Sequence, residues 1–146
     1  MNKPRILFLC TGNSCRSQMA EGWAKALLKA DYEISSAGIE AHGLNPNAVK
    51  VMDEAGIDIS SHQSQTLNEL DQKRFDYIFT VCDHAHQTCP ASDGSHIIQN
   101  YFDDPPRLSA SVTNEEESLN IYRRVRDEIK IWIQQLPHQI HLLNNN

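Results

Sequence analysis

Arg5-Ile6-Leu7-Phe8-Leu9 runs without interruption into Cys10-Thr11-Gly12-Asn13-Ser14-Cys15-Arg16-Ser17. A continuous apolar run of this kind marks a parallel strand covered on both faces, and here it carries Cys10 to the point where strand gives way to helix. From Cys10, five residues lead to Arg16 and then to the hydroxyl of Ser17. A loop of that spacing can curl its backbone N–H groups around one tetrahedral oxyanion. The planar fork of Arg16 closes the ring with bidentate contact. A helix starting near Ser17 aims the positive end of its dipole at the same spot. These fields favour a thiolate at Cys10, since such settings lower cysteine pKa values to roughly 3.5–7.5. Cys10 is therefore the candidate nucleophile, and Thr11, Gly12, Asn13, Ser14, Cys15, Arg16 and Ser17 are the candidate oxyanion ring. A structural cysteine beside a surface arginine is the plainer alternative. It is the weaker account of a motif set between a strand and an amphipathic helix.

Outward from the loop, the patterning defines an architecture. Met19/Ala20, Trp23/Ala24 and Leu27/Leu28 recur every four residues and predict a helix from about Ser17 to Ala30 with one apolar stripe. Tyr32 to Ala37 reads as a second strand ended by Gly38. Asn45-Pro46 caps a short helix through Ala48, Val49, Val51, Met52 and Ala55, stopped by Gly56. Phe75 to Cys82 is a third strand and His96 to Phe102 a fourth. Thr113-Asn114-Glu115-Glu116 has capping-box spacing. The long helix behind it carries Leu119, Tyr122, Val125, Ile129, Trp132/Ile133 and Leu136, and Pro137 is expected to end it. The acidic run Glu115 to Glu117 reads as a first turn that complements the helix dipole. Residues 142–146 are expected to fray.

Strands alternating with helices predict an α/β fold: a single domain over residues 1–141, built on an open parallel four-stranded sheet with helices on both faces. Sites in such sheets lie beyond the carboxyl ends of the strands. Cys10 ends the first strand and Cys82 the third, so both should reach one crevice.

Composition narrows the function. At 146 residues the chain fits one domain, and a domain of that size buries about 68–70% of its unfolded surface without needing staples. The net charge of −6, with no basic stripe, argues against a nucleic-acid partner. An anionic substrate must therefore be attracted locally by the loop. No apolar run reaches the length of about 18 residues that a membrane span needs. Met1-Asn2-Lys3-Pro4 leads directly into the first strand and leaves no room for a signal peptide, so the expected location is cytoplasmic. Four cysteines in such a chain point to catalysis, redox work or metal rather than structural disulfides.

The stretch Cys10 to Ser17 resembles the phosphate-binding loop of low-molecular-weight protein tyrosine phosphatases, and equally that of the arsenate reductases built on the same fold. Both place a nucleophilic cysteine first, a second cysteine five residues on, then Arg-Ser. The resemblance runs nearly the full chain, so the loop alone does not choose between two chemistries. Residues 82 to 89 bear on that choice: Cys82-Asp83-His84-Ala85-His86-Gln87-Thr88-Cys89, then Pro90. A phosphatase needs no thiol here. A reductase does, because a thiol pair supplies two electrons by forming a disulfide. The Cys-x6-Cys-Pro segment resembles the redox segment of the thioredoxin-coupled arsenate reductases.

That resemblance implies a sequence of steps. Cys10 attacks arsenic, Cys82 attacks Cys10, and Cys89 attacks Cys82, which moves the disulfide outward to an electron donor. Segment 83–88 would have to rearrange for this, since disulfide geometry needs Cα atoms within about 4.4–6.8 Å. The implied donor is thioredoxin, with glutathione and glutaredoxin as the alternative. Arsenate is the implied substrate, with phosphate and sulfate as competing oxyanions and no cofactor.

Asp103-Asp104-Pro105 resembles the family's general-acid loop, which makes Asp104 the proton donor. Phosphatases follow this Asp-Pro with a tyrosine that walls an aromatic pocket; Pro106 stands there instead and favours a small inorganic oxyanion. Cys15, inside the loop, is read as structural. Some relatives hold potassium with an asparagine, a glutamate, a serine and an aspartate; Asn13, Glu21 and Ser36 match, and Gln65 replaces the aspartate. Two other readings stay open. One is a tyrosine phosphatase using only Cys10, Arg16 and Asp104. The other is a zinc-bearing module held by Cys82, His84, His86 and Cys89, although all four ligands would crowd onto one short loop. The remaining histidines, His42, His62, His96, His138 and His141, show no ligand spacing.

Overall fold

A computed structural model describes residues 3–70, 74–82 and 96–144 of the chain. β1 (Arg5–Cys10), β2 (Glu33–Gly38), β3 (Tyr77–Thr80) and β4 (His96–Gln99) form one parallel sheet in the order β2-β1-β3-β4. β1 is central, and Ile6, Leu7, Phe8 and Leu9 are all 0% exposed. Successive strand residues face opposite ways, so complete burial of all four means that both faces of the sheet are covered. The register sets Cys10 beside Gly38 and Leu9 beside Thr80. The Val81 N–H then donates to Leu9 O at 2.9 Å. This bond carries the β1–β3 pairing past Thr80 and leaves Cys82 next to the end of β1.

β3 and β4 are shorter than the runs 75–82 and 96–102 expected for them. Their flanks stay tied by single bonds such as Phe102 N–H to Val81 O at 3.3 Å, which is contact without a ladder. α1 (Arg16–Leu28) departs more from expectation. Every residue from Arg16 to Ala24 is buried, whereas Leu27, placed on the apolar stripe by its spacing, is 44% exposed. The first turns lie under the loop against the sheet and the long helix Glu115–Asn144, and they also receive the chain around Ile59. A Cβ at Gly22 would meet Ile59 Cγ2 at 2.7 Å, so glycine is what permits that approach. Beyond Ala24 the helix emerges from the core and burial becomes one-sided.

α2 (Pro46–Glu54) starts as its sequence foretells: Asn45 Oδ1 accepts from the N–H groups of Asn47 at 2.8 Å and Ala48 at 3.2 Å. Beyond its other end, Gly56 takes φ +85°. α3 (Pro105–Ser109) is a short helix opening directly after Asp104, with prolines in its first two positions. α4 (Glu115–Asn144) is capped by Asn114, whose Oδ1 accepts from Glu116 N–H at 2.8 Å and Glu117 N–H at 3.1 Å. Thr113 is therefore not the cap.

Pro137 does not end α4. An interior proline costs ~3 kcal/mol, but the helix beyond it keeps the core stripe going. Ile140 is buried there, and burying one such side chain contributes about 1.5–3 kcal/mol. Trp132 Nε1–H donates to Gln139 Oε1 at 3.1 Å, and Tyr77 Oη–H donates to Asn144 Oδ1 at 2.9 Å. Leu142 to Asn144, expected as part of a frayed tail, are thereby helical. Trp132 also packs edge-on against Phe8 and Phe79, which fastens α4 to the middle of the sheet. Among the described residues, no helix is long and apolar enough to cross a membrane.

Candidate active site

The loop after β1 is shaped by what holds its carbonyls. Those of Cys10, Thr11, Gly12 and Ser14 accept from the N–H groups of Ile39, Glu40, His42 and Asn45 at 2.9–3.1 Å. In a trans peptide the following N–H points the opposite way. The N–H groups of Thr11, Gly12 and Cys15 thus turn away from residues 39–45 and towards the loop's interior. A Cβ at Gly38 would lie 2.3 Å from Glu40 O, so only glycine allows the two segments this close. α1 starts at Arg16 with no side-chain cap from Cys15, which leaves its first N–H groups available to an anion.

Asn13 latches the loop. Its φ of +49° lies in the left-handed region, which asparagine tolerates. Nδ2–H donates to Ser17 Oγ and Ser36 Oγ, both at 2.9 Å. Oδ1 accepts from Gln65 N–H at 2.8 Å and Gln18 Nε2–H at 3.1 Å. Gln18 in this network was invisible to motif reading, because it acts through the loop and not upon a substrate; Ser36 stood out only as a match to a potassium ligand.

The two loop cysteines have opposite electrostatics. Cys10 is held well below the ordinary thiol value, chiefly by a hydrogen bond from the Cys82 thiol; burial opposes this, while the Ser17 hydroxyl and N–H and the Arg16 charge assist. Cys15 is pushed far up by burial, with the neighbouring Cys10 charge adding to the effect. Iodoacetamide at neutral pH should therefore alkylate Cys10 while Cys15 stays unmodified in the folded protein. Peptide mapping across a pH series checks this: a Cys10 midpoint at the ordinary thiol value would contradict the geometry. Cys82 is itself buried, with its Sγ 3.2 Å from Thr11 Oγ1. The structure thus brings the ends of β1 and β3 into one crevice.

Arg16 is 8% exposed. Its Nη1–H donates to Phe102 O at 3.0 Å, and Nη2 lies 3.7 Å from Asp104 Oδ2. Its Nε–H is buried and has no acceptor among the described residues. A buried unpaired donor costs about 1–3 kcal/mol, and an oxyanion in the loop would satisfy it. Of the adjacent aspartates, Asp103 turns to Arg124 Nη2 at 3.0 Å while Asp104 lines the pocket. That cavity, of about 270 Å³, is walled by Cys10, Arg16, Asp104 and Pro106, and also by His42. No spacing in the sequence links His42 to the loop; its place follows from the bond between its N–H and Gly12 O.

Asn13, Glu21 and Ser36 do come together, with Ser36 Oγ–H donating to Glu21 Oε1. The set does not fit a potassium ion. Lys25 Nζ already neutralises Glu21 at 2.5 Å, and Gln65 directs Nε2–H at Ser36 O at 3.1 Å instead of offering a carboxylate. His62 sits beside this cluster, 3.0 Å from Gln18 Oε1, and burial lowers its pKa. Cys89, His84 and His86, on which both the relay and the zinc alternative depend, lie outside the described residues.

A buried cysteine held below the usual thiol range, on a loop that leads into a helix N-terminus at the head of a parallel sheet, has the arrangement of a phosphatase-type site. Residues 5–144 match the low molecular weight phosphotyrosine protein phosphatase family, and the chain belongs to it. Within that family it is 51% identical, over 130 residues, to a protein of Halalkalibacterium halodurans named arsenate reductase, covering 88% of this chain and 91% of that one. A solved arsenate reductase in its phosphate-binding state superposes with a TM-score of 0.72 at 29% identity, covering 94% of this chain and 98% of that one. The low molecular weight protein tyrosine phosphatase from T. tengcongensis superposes with a TM-score of 0.76 at 30% identity, covering 94% and 99%.

Proposed function

We propose that this chain is an arsenate reductase that converts arsenate to arsenite through Cys10, Cys82 and Cys89. The observation that carries the reading is a second buried thiol at the end of β1: the Val81 N–H to Leu9 O bond brings Cys82 there, and its Sγ lies 3.2 Å from Thr11 Oγ1, the residue next to Cys10. Hydrolysis of a phosphate ester has no use for a second thiol against the nucleophile; reduction requires one.

Arsenate enters the ring with its oxygens on the loop amides and on Arg16. The Cys10 thiolate attacks arsenic, an As–O bond breaks, and Asp104 protonates the departing oxygen so that it leaves as water. Cys82 then attacks the Cys10 sulfur. The electron pair of the S–As bond passes to arsenic, arsenite departs, and a Cys10–Cys82 disulfide remains. Cys89 attacks Cys82 and frees the Cys10 thiolate. The Cys82–Cys89 disulfide is finally reduced by an external dithiol, for which thioredoxin is the proposed donor. Two electrons enter and two reach arsenic. Thr11 Oγ1, within hydrogen-bond reach of Cys82 Sγ, can hold the attacking sulfur in place.

The test measures arsenite formation from arsenate with a thioredoxin system, beside hydrolysis of an aryl phosphate by the same preparation. Arsenite formation is expected; ester hydrolysis alone would overturn the reading in favour of the phosphatase. Competition checks the binding site. Millimolar phosphate should raise the KM for arsenate and leave kcat unchanged, because both anions seek the same donors. Purely non-competitive inhibition would place the oxyanion outside the Cys10–Arg16 loop.

A further inference from the structure

One side chain stands over the oxyanion loop with no part in the reduction. His42 follows β2 and lays its ring on Gly12, where a Cβ would sit 2.3 Å from Nδ1 and 2.7 Å from Cγ. The residue is held at two points, one on its backbone and one on its ring. The His42 N–H donates to Gly12 O at 2.9 Å, and its Nε2 is 2.6 Å from Glu40 Oε2. Glu40 in turn is anchored by its own N–H on Thr11 O at 2.9 Å. The exposed ring, laid on the loop at Gly12, borders the same pocket as Asp104 and Pro106 and so forms part of its wall.

We infer that His42 is a specificity-determining residue: with Pro106 it shapes the pocket mouth to favour inorganic oxyanions over aryl phosphate esters. The inference rests on the reductase reading and names the group that enforces it. In an in-line displacement the leaving oxygen lies opposite the attacking sulfur, beside the acid that protonates it. On arsenate that oxygen carries only a proton. On an aryl ester it carries a ring, which must continue outward past Asp104 and between the side chains that frame the mouth. His42 is not an anion binder here. Its Nε2 is taken up by the Glu40 carboxylate, and the ring excludes by shape.

Replacement of His42 opens the mouth without touching the reacting groups. His42→Ala and Glu40→Gln are compared with the parent for kcat/KM on p-nitrophenyl phosphate and on arsenate. His42→Ala should raise the aryl phosphate value at least about tenfold, mainly through KM, the scale on which a shape-fitted pocket discriminates. Arsenate turnover should stay within about threefold, because inorganic oxyanions do not use the space. Glu40→Gln loosens the ring and should shift the ratio the same way by a smaller factor. In the aryl reaction the Cys10 thiolate takes the phosphoryl group, the P–O(aryl) bond breaks, Asp104 protonates the phenolate, and water hydrolyses the phosphocysteine. An unchanged ratio in both variants overturns the wall, as does a parallel fall in both activities. A parent chain that leaves arsenate unreduced overturns the reductase reading instead, so the two failures are separable.

Discussion

Cys10→Ser abolishes arsenate reduction and any aryl phosphate hydrolysis together, by on the order of 10⁴-fold or more, as for other loss of a covalent nucleophile. The loop, Arg16 and the start of α1 stay in place in this variant, so oxyanion binding should persist. What disappears is the anion that the site is built to stabilise. The Cys82 thiol, the Ser17 hydroxyl and N–H and the Arg16 charge all favour a thiolate, and a serine hydroxyl stays protonated in the same field. Steady-state arsenite formation checks the result, and retention within about tenfold of the parent would remove Cys10 from the mechanism. A second consequence concerns stability. A thiol whose folded pKa lies below its unfolded value stabilises the fold fully above the unfolded value. That contribution is lost as the pH falls through the folded one. The difference in Tm between the parent and Cys10→Ser should therefore contain a component that shrinks as the solution is acidified.

The parts of this molecule that local chemistry controls are legible in the sequence. β1, the loop from Cys10 to Ser17 and the Asn45 cap of α2 depend on residues within a few positions of one another. Cys82 was also readable, because a parallel sheet sends the carboxyl ends of its strands to the same edge. Other features depend on partners far along the chain. Pro137 breaks a helix in isolation, yet α4 continues because Trp132, Ile140 and Asn144 find partners in a formed tertiary structure. Leu27 fits an apolar stripe by spacing, but the core surrounds only the first turns of α1 and leaves it in solvent.

The site divides along the same line. Arg16 belongs to a motif, but the carbonyl that anchors it is Phe102, 86 residues away. Asp104 differs from Asp103 only in direction, and that is decided by the Arg124 guanidinium taking the first of the pair. His42 has no motif at all; a backbone hydrogen bond to Gly12 brings it to the pocket. The partial match to a potassium site, which Gln65 already put in doubt, fails for a comparable reason. Sequence matching supplies three of four ligand positions, and Lys25, one turn along α1 from Glu21, fills the charge requirement first.

Cys82→Ser and Cys89→Ser should stop the cycle at different points. Each exchange step needs an attacking thiolate within reach of the sulfur it displaces. With Cys89 replaced, Cys82 can still attack the Cys10 adduct. The protein should then release about one equivalent of arsenite and stall with a Cys10–Cys82 disulfide that peptide mapping detects. With Cys82 replaced, nothing displaces arsenic from Cys10, so arsenite formation should fail from the first turnover. Serine is the informative substitution at position 82, because its hydroxyl can still donate to Cys10 as the thiol does and so preserves the nucleophile. Aryl phosphate hydrolysis requires neither thiol in its balance. Both variants should retain whatever level the parent shows, which separates loss of the relay from loss of the fold. Sustained thioredoxin-driven turnover by either variant would overturn the three-cysteine relay. It would also remove the chemical reason for a second thiol against Cys10, and the phosphatase would become the better account of the site.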